Sequence, residues 1–390
     1  MTTVANAATK GDAEILMKLI EAKGNLEETD EHGFPALLLA CYSDHVECAR
    51  ILIDAKCDLA AKDNSGNTAL MWAAQMGNLA CLELLLAAKA DIDAKNDEDE
   101  TALIAASQKG CSECVQVLIG ANASIEAREY FKKTALIWSA QNNYAECVQI
   151  LLDAKADVEA KDKYGYTALN LAARNEHIEC VQLLLDAGAD INGTDNFGAP
   201  AFLRATQNGK IAASRFLLEN NADIEKKDND GYNALHWAIQ LDHIPCVQFL
   251  VDSNADLEAQ DNNRDTALIL AVQNDRIECA RVLIEGKANM EALDRYAQIP
   301  LIIAAQNGQV ASTQLLIDAK SNVNAKSDTD STALLWACQN GHTQCARMLL
   351  DNKADIELWN KEGESALMVA ARRGHNDIIR LIHQVSYLPE

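Results

Sequence analysis

Twelve cysteines and eight histidines are the residues of this 390-residue chain with the widest chemical repertoire. Cys111 and Cys114 form a C-x-x-C, and Cys41, His45, Cys48 is echoed by Cys338, His342, Cys345. Thiolates and imidazoles at such spacings are the ligands of zinc sites or the partners of a redox pair. Each set, however, supplies at most three ligands around one helix start, whereas a structural zinc wants four that converge. Eight of the cysteines, Cys48, Cys81, Cys114, Cys147, Cys180, Cys246, Cys279 and Cys345, recur at one equivalent position in the first turn of a predicted helix. A small buried hydrophobe suffices there, and successive copies lie too far apart for a disulfide. No glycine-rich phosphate loop, no H-E-x-x-H and no nucleophile with a base and an orienting partner stands out. Every Asp or Glu that could pair as acid and base has equivalents elsewhere, which reads as solvated surface. No catalytic residue, metal or cofactor is expected, and the chain reads as not an enzyme.

The elements that carry these residues are periodic. The segment DNSGNTALMWAAQMGNLACLELLLAAKADIDAK, from Asp63 to Lys95, recurs every 33 residues, and ten such periods fit from Glu31 to Asn360 without insertion or deletion. Thr68 is a helix N-cap, Leu70, Ala73 and Ala74 share a face, and Gly77 ends that short helix. Leu79, Leu82, Leu85 and Leu86 form the stripe of a second helix that ends near Lys89, after which Ala90, Asp91 and Ile92 lead into the next Asp-x-x-Gly turn. Helices of two to three turns are marginal alone in water, so each unit must bury its stripe against its neighbours.

The period and the residues Asp63, Gly66, Thr68, Ala69, Leu70, Leu84, Leu85, Leu86, Ala90 and Asp91 resemble the ankyrin repeat. The resemblance covers the whole chain. It implies an all-α solenoid, an ankyrin-repeat array of about twelve units, each a helix-turn-helix plus a β-hairpin finger, wound into a curved superhelix on the order of 100 Å long. It implies one domain over 1–390, with an N-terminal capping repeat at 1–30, ten full repeats at 31–360 and a C-terminal cap at 361–390 closed by a shortened helix. Where the family reads T-P-L-H this chain reads T-A-L, as at Ala69, Ala102, Ala135 and Ala168, and the histidine survives at His236. After the second helix the family places a left-handed glycine, kept as Gly188. Elsewhere this chain has lysine, as at Lys89 and Lys155, or asparagine, as at Asn122 and Asn254.

Composition narrows the partners. The chain is 49% hydrophobic but only 5% aromatic, and 34 basic against 58 acidic residues leave a formal charge of -24. Such a surface repels nucleic acid and anionic membrane, and it either keeps the protein soluble or steers a basic protein toward it. No stretch approaches a membrane span and the start lacks the regions of a signal peptide. A monomer in a reducing compartment is expected, cytoplasmic with the nucleus as the alternative. The sequons at Asn122 and Asn192 are then chance matches.

In ankyrin proteins the concave groove, made by finger tips and first helices, usually carries the partner. Carried over to this chain, the candidate binding residues are the finger-tip aromatics Tyr130, Phe131, Tyr164, Tyr166, Phe197 and Tyr232, with Gln141, Gln207 and Gln240 from a recurring amide row. Exposed aromatics are frequent hot spots, although the same rings could instead pack on neighbouring fingers. The amides could bond an extended or periodic partner, or cap the helix ends after recent duplication. Trp72, Trp138, Trp237 and Trp336 share one first-helix position and read as core, with partial exposure on the concave side as the other option. Lys62, Lys95, Arg128, Lys161, Lys227 and Lys326 read as surface partners of acids two residues earlier. The function expected is a non-catalytic scaffold that binds a protein or peptide, a basic one by charge. The alternative is a structural component that docks along a repetitive assembly.

Overall fold

Three left-handed residues per period shape this chain. In the computed structural model, which describes residues 3–386, positive φ recurs in three registers. One closes the turn between paired helices (Gly11, Asp44, Gly77 and onward to Gly374), one follows the second helix (Lys23 to Lys353), and one lies in the finger (Gly33 to Gly363). Every positive φ among the described residues belongs to one of these registers. Between them, among the described residues, run 24 helices in pairs, a first helix of seven or eight residues and a second of nine. In the repeat quoted above these are Ala69–Met76, capped by Thr68 and closed by Gly77 at φ 74°, and Leu79–Ala87. The last second helix, Asn376–Ser386, has 11 residues, so the C-terminal helix is lengthened where the sequence predicts a shortened one. The fingers are successive turns. Among the described residues only four of them close an antiparallel bridge, such as Lys62 with Thr68.

Two units built alike, Met1–Ala201 and Phe202–Glu390, make up the chain. Within each, first helices pack on the first helices of adjoining repeats and second helices on second helices. Alanines such as Ala69, Ala73 and Ala74, all fully buried, allow that close approach, and one cysteine and two leucines (Cys81, Leu82, Leu85) fill the outer layer. Leu79 and Leu86 of the expected stripe are only half-buried. The eight equivalent cysteines are all buried, as small hydrophobes should be.

The acids are less idle than a solvated surface. Glu126 Oε1 accepts the Asp157 backbone N–H at 2.8 Å and Glu159 that of Asp190 at 2.7 Å, and Glu225, Glu258 and Glu291 repeat the bond in the second unit. Each ties one finger to the exit of the next second helix, where backbone donors need an acceptor. The basic row also departs from expectation. Lys62 Nζ donates to the Lys95 carbonyl (2.8 Å), Arg128 to that of Lys161 (3.0 Å), Lys161 to that of Thr194 (2.8 Å) and Lys227 to that of Gln260 (2.7 Å). A long side chain spans to the carbonyl one repeat on more readily than it folds back on an acid two residues behind it.

Lys155 illustrates what the left-handed positions cost. It sits at φ 67°, exposed, directly after the Ala145–Asp153 helix. A side chain there costs about 1 kcal/mol relative to glycine. Lys155→Gly is expected to raise the melting temperature by a few degrees, read by circular dichroism; an unchanged or lower value would contradict the assignment.

Candidate partner-binding groove

Each finger is built by one acid that turns the chain. Asp162 Oδ1 accepts the N–H groups of Tyr164 (2.8 Å) and Tyr166 (2.9 Å). Glu129 does the same for Phe131 and Lys133 with its two oxygens. Neighbouring tips are then joined by backbone bonds, Tyr130 N–H to Glu98 O, Lys163 N–H to Phe131 O and Asn196 N–H to Tyr164 O, at 2.7 to 3.1 Å. So tethered, the tip side chains have little left to do but project.

Five of the nine expected residues meet here. Phe131, Tyr164, Tyr166, Phe197 and Gln141 line one groove of about 720 Å³ in the first unit, whose floor is Trp138 and Leu171. Tyr130, the most exposed of these aromatics at 62%, stands at the edge with its ring 5.1 Å from that of Phe131. Phe197 and Tyr164 are 51% and 44% exposed, far more than rings that fill a core. The rings also touch one another and the chain's own cations. Tyr164 and Tyr166 lie 6.4 Å apart, Lys163 Nζ sits 5.2 Å over Tyr130, and Arg174 lies 6.0 Å over Tyr166.

The other three residues lie in the second unit. Tyr232 is half-buried and stacks on His236 with centroids 5.5 Å apart, which is packing. Gln207 Oε1 accepts from Arg204 and Gln240 Oε1 from Asn274. The amide row does not cap helix ends. Gln108 and Gln273 instead reach back eight residues to Glu100 and Asp265 of their own fingers, and Gln141 Oε1 takes the Lys133 ammonium at 2.6 Å. The asparagines that follow are used between repeats, Asn142 donating to Gln108 O and Asn175 to Gln141 O.

Of the two placements read for the tryptophans, core or partial exposure on the concave side, the structure shows the second. Trp72, Trp138, Trp237 and Trp336 are all half-buried, on the finger side of the first helix. A signal for this is present in the sequence: each stands three residues before the amide row, so helical spacing places both on one face. Their indole N–H groups meet different fates. Asp63 and Asp228 each have a second oxygen to spare and accept from Trp72 (2.9 Å) and Trp237 (2.6 Å). At the equivalent position Glu129 spends both oxygens on backbone and Ser327 is too short, which leaves Nε1 of Trp138 and Trp336 buried without a partner. Burial in the groove lowers the Lys133 pKa, opposed by the carboxylates of Asp162 and Glu129.

The chemistry suggested by cysteine and histidine spacing is not assembled. Burial pushes the Cys114 and Cys147 thiols up to about 12 and Cys180 to about 11, the reverse of what a nucleophile or metal ligand needs. His45, His177, His342 and His375 place a ring nitrogen 3.0 to 3.3 Å from a backbone carbonyl of the preceding repeat. Among the described residues no three of His, Cys, Asp and Glu gather as a metal site.

Comparison with known proteins agrees with this architecture. A family described as ankyrin repeats (3 copies) matches at residues 4–96, 102–195, 193–261, 255–327 and 301–387. Among solved structures, the human ASB11 ankyrin repeat domain is similar at 25% identity and a TM-score of 0.53, over 57% of this chain and 99% of that one. No curated protein matches the chain. With the family matched over most of its length and the helix pairs repeating in its register, the chain belongs to the ankyrin-repeat proteins.

Proposed function

We propose that this protein is a non-catalytic binding module that holds one protein or peptide partner in the finger-side groove of its first unit. Ankyrin repeats are generally protein-interaction modules. The observation that carries the reading is that the exposed large rings concentrate on the fingers from Tyr130 to Phe197 and enclose a groove there. Rings held by tethered backbone lose little freedom on binding, which is what makes them effective anchors. Docking along a repetitive assembly has less support, because it relied on a row of unused amides and those amides bond within the chain. We further propose that the module acts as a monomer in a reducing compartment, cytoplasmic or nuclear. That fits twelve free thiols and a chain in which, among the described residues, no helix is long and apolar enough to cross a membrane.

The test is affinity capture from the native cell with the wild type and with Tyr164→Ala combined with Tyr166→Ala. Both side chains project from a finger whose turn is held by Asp162 and the backbone, so helicity and melting should stay as they are. Loss of about 2 kcal/mol or more per anchor would remove a discrete partner from the captured set. A variant that melts early would show the rings to be structural, and one that captures the same proteins would place the site elsewhere.

A further inference from the structure

The aromatic groove runs into a second hollow of about 360 Å³, and the two share Glu98 and Glu100. Only the larger one offers cations beside its carboxylates, which are Glu98, Glu100, Glu129 and Asp162. The larger groove carries the Lys133 ammonium and the Arg174 guanidinium. The smaller one is lined by Trp72 and three carboxylates, Asp97, Glu98 and Glu100, and no lysine or arginine lines it. Glu100 is engaged by Asn96 and Gln108. Asp97 and Glu98 are exposed and, among the described residues, have no ion pair.

Comparison of repeats shows what the smaller hollow lacks. In the repeat of Trp138, residue 133 is a lysine whose Nζ lies 4.1 Å over the indole ring. In the repeat of Trp72 the equivalent residue is Asn67, which bonds to Asp63 and Asn96 instead. The indole there has no cation of its own, yet the surrounding carboxylates favour one. A planar guanidinium suits such a place, since it stacks on an aromatic face and meets carboxylates at its edge.

We propose that the two hollows together take one extended peptide segment, with an arginine seated on Trp72 beneath Asp97 and Glu98 and a large apolar side chain among Phe131, Tyr164 and Phe197. This rests on the binding reading above and adds to it the chemistry of the partner. Adjacent repeats lie roughly 8 to 10 Å apart and an extended chain advances about 3.3 Å per residue. Phe131, Tyr164 and Phe197 stand two, three and four periods beyond Ser65, the same tip position in the repeat of Trp72, so a side chain seated among them lies about three repeats from Trp72 and sets the two anchors about eight residues apart.

The experiment is selection of a random-peptide phage library on the full chain, followed by affinity measurements with the enriched peptides made synthetically. Peptides with an arginine about eight residues from a large apolar residue are expected. Asp97→Lys with Glu98→Lys, both at exposed positions, should weaken them about tenfold or more, and a peptide with that arginine changed to glutamate should bind this variant better than the original does. Enriched peptides without a basic residue, acidic peptides, no enrichment, or indifference to the charge reversal would each overturn the proposal. The two readings separate on Tyr164→Ala with Tyr166→Ala. Peptides that this change abolishes but charge reversal leaves alone keep the groove and remove the arginine site. Peptides that neither change affects remove both.

Discussion

Asp265→Asn should stabilise the second unit at neutral pH by about 2 kcal/mol, and the gain should nearly vanish by pH 4. Asp265 is only 6% exposed and closes a finger beside Asp261 and Asp294. Burial first and those like charges second push its carboxyl up to about 6 from 3.8, although the bond from Gln273 Nε2 at 3.1 Å acts the other way. A folded pKa above the unfolded one means that the folded state binds the proton more tightly. The corresponding stability is complete below pH 3.8 and is lost as pH rises through 6, so the wild type carries a burden at pH 7. A displacement of that size corresponds to about 3 kcal/mol, reduced by the weaker neutral bond that an amide would make with Gln273. The next repeat shows that an amide fits, for Gln298 occupies the equivalent position and bonds Gln306 at 2.9 Å. Denaturation of both proteins at pH 7.5 and pH 4, with hydrogen exchange followed over residues 234–285, decides the matter. A loss of stability at pH 7.5, or the same gain at both pH values, would refute it.

The burden on Asp265 shows where sequence reading stops. Residues spaced by 33 along the chain become neighbours in space, so Asp294 crowds Asp261 and Asp265 through a relation that the period reveals only once its geometry is known. The same holds for Lys62, whose bond to the Lys95 carbonyl crosses one full repeat. Whatever repeats within a unit is directly legible. Thr68 caps its helix, Gly77 closes it, and Lys89 takes the left-handed position. The finger-tip aromatics are legible because tips follow from the turn pattern. Trp138 is legible only in part: its spacing from the amide row puts both on one face, but single-helix spacing does not contain the fact that fingers stand beside that face and half-bury the ring.

Cysteines of one register should differ in their tolerance of serine, and this separates packing from chemistry. Cys279 lies buried with Sγ 3.4 Å from Asp242 Oδ1, the acid at the left-handed turn of the preceding repeat. One repeat further on the sequence already has serine, and Ser312 Oγ bonds Asp275 in the same way at 3.3 Å. Cys279→Ser should therefore change stability by a few tenths of a kcal/mol, since the new hydroxyl inherits a charged acceptor. Cys147 has no such partner, because the turn residue facing it is Gly110. Its own residue four positions back, Asn143, has φ 63° and stands outside the helix, so its carbonyl does not serve a back-bonded hydroxyl either. Cys147→Ser buries a hydroxyl without an acceptor and is expected to cost about 1 to 3 kcal/mol. Cys147→Ala, which removes the sulfur without adding polarity, should cost less than Cys147→Ser if the site is crowded rather than reactive. Equal losses for the serine variants of both residues, by thermal and chemical denaturation, would show that the acceptor at the preceding turn does not decide what the position tolerates.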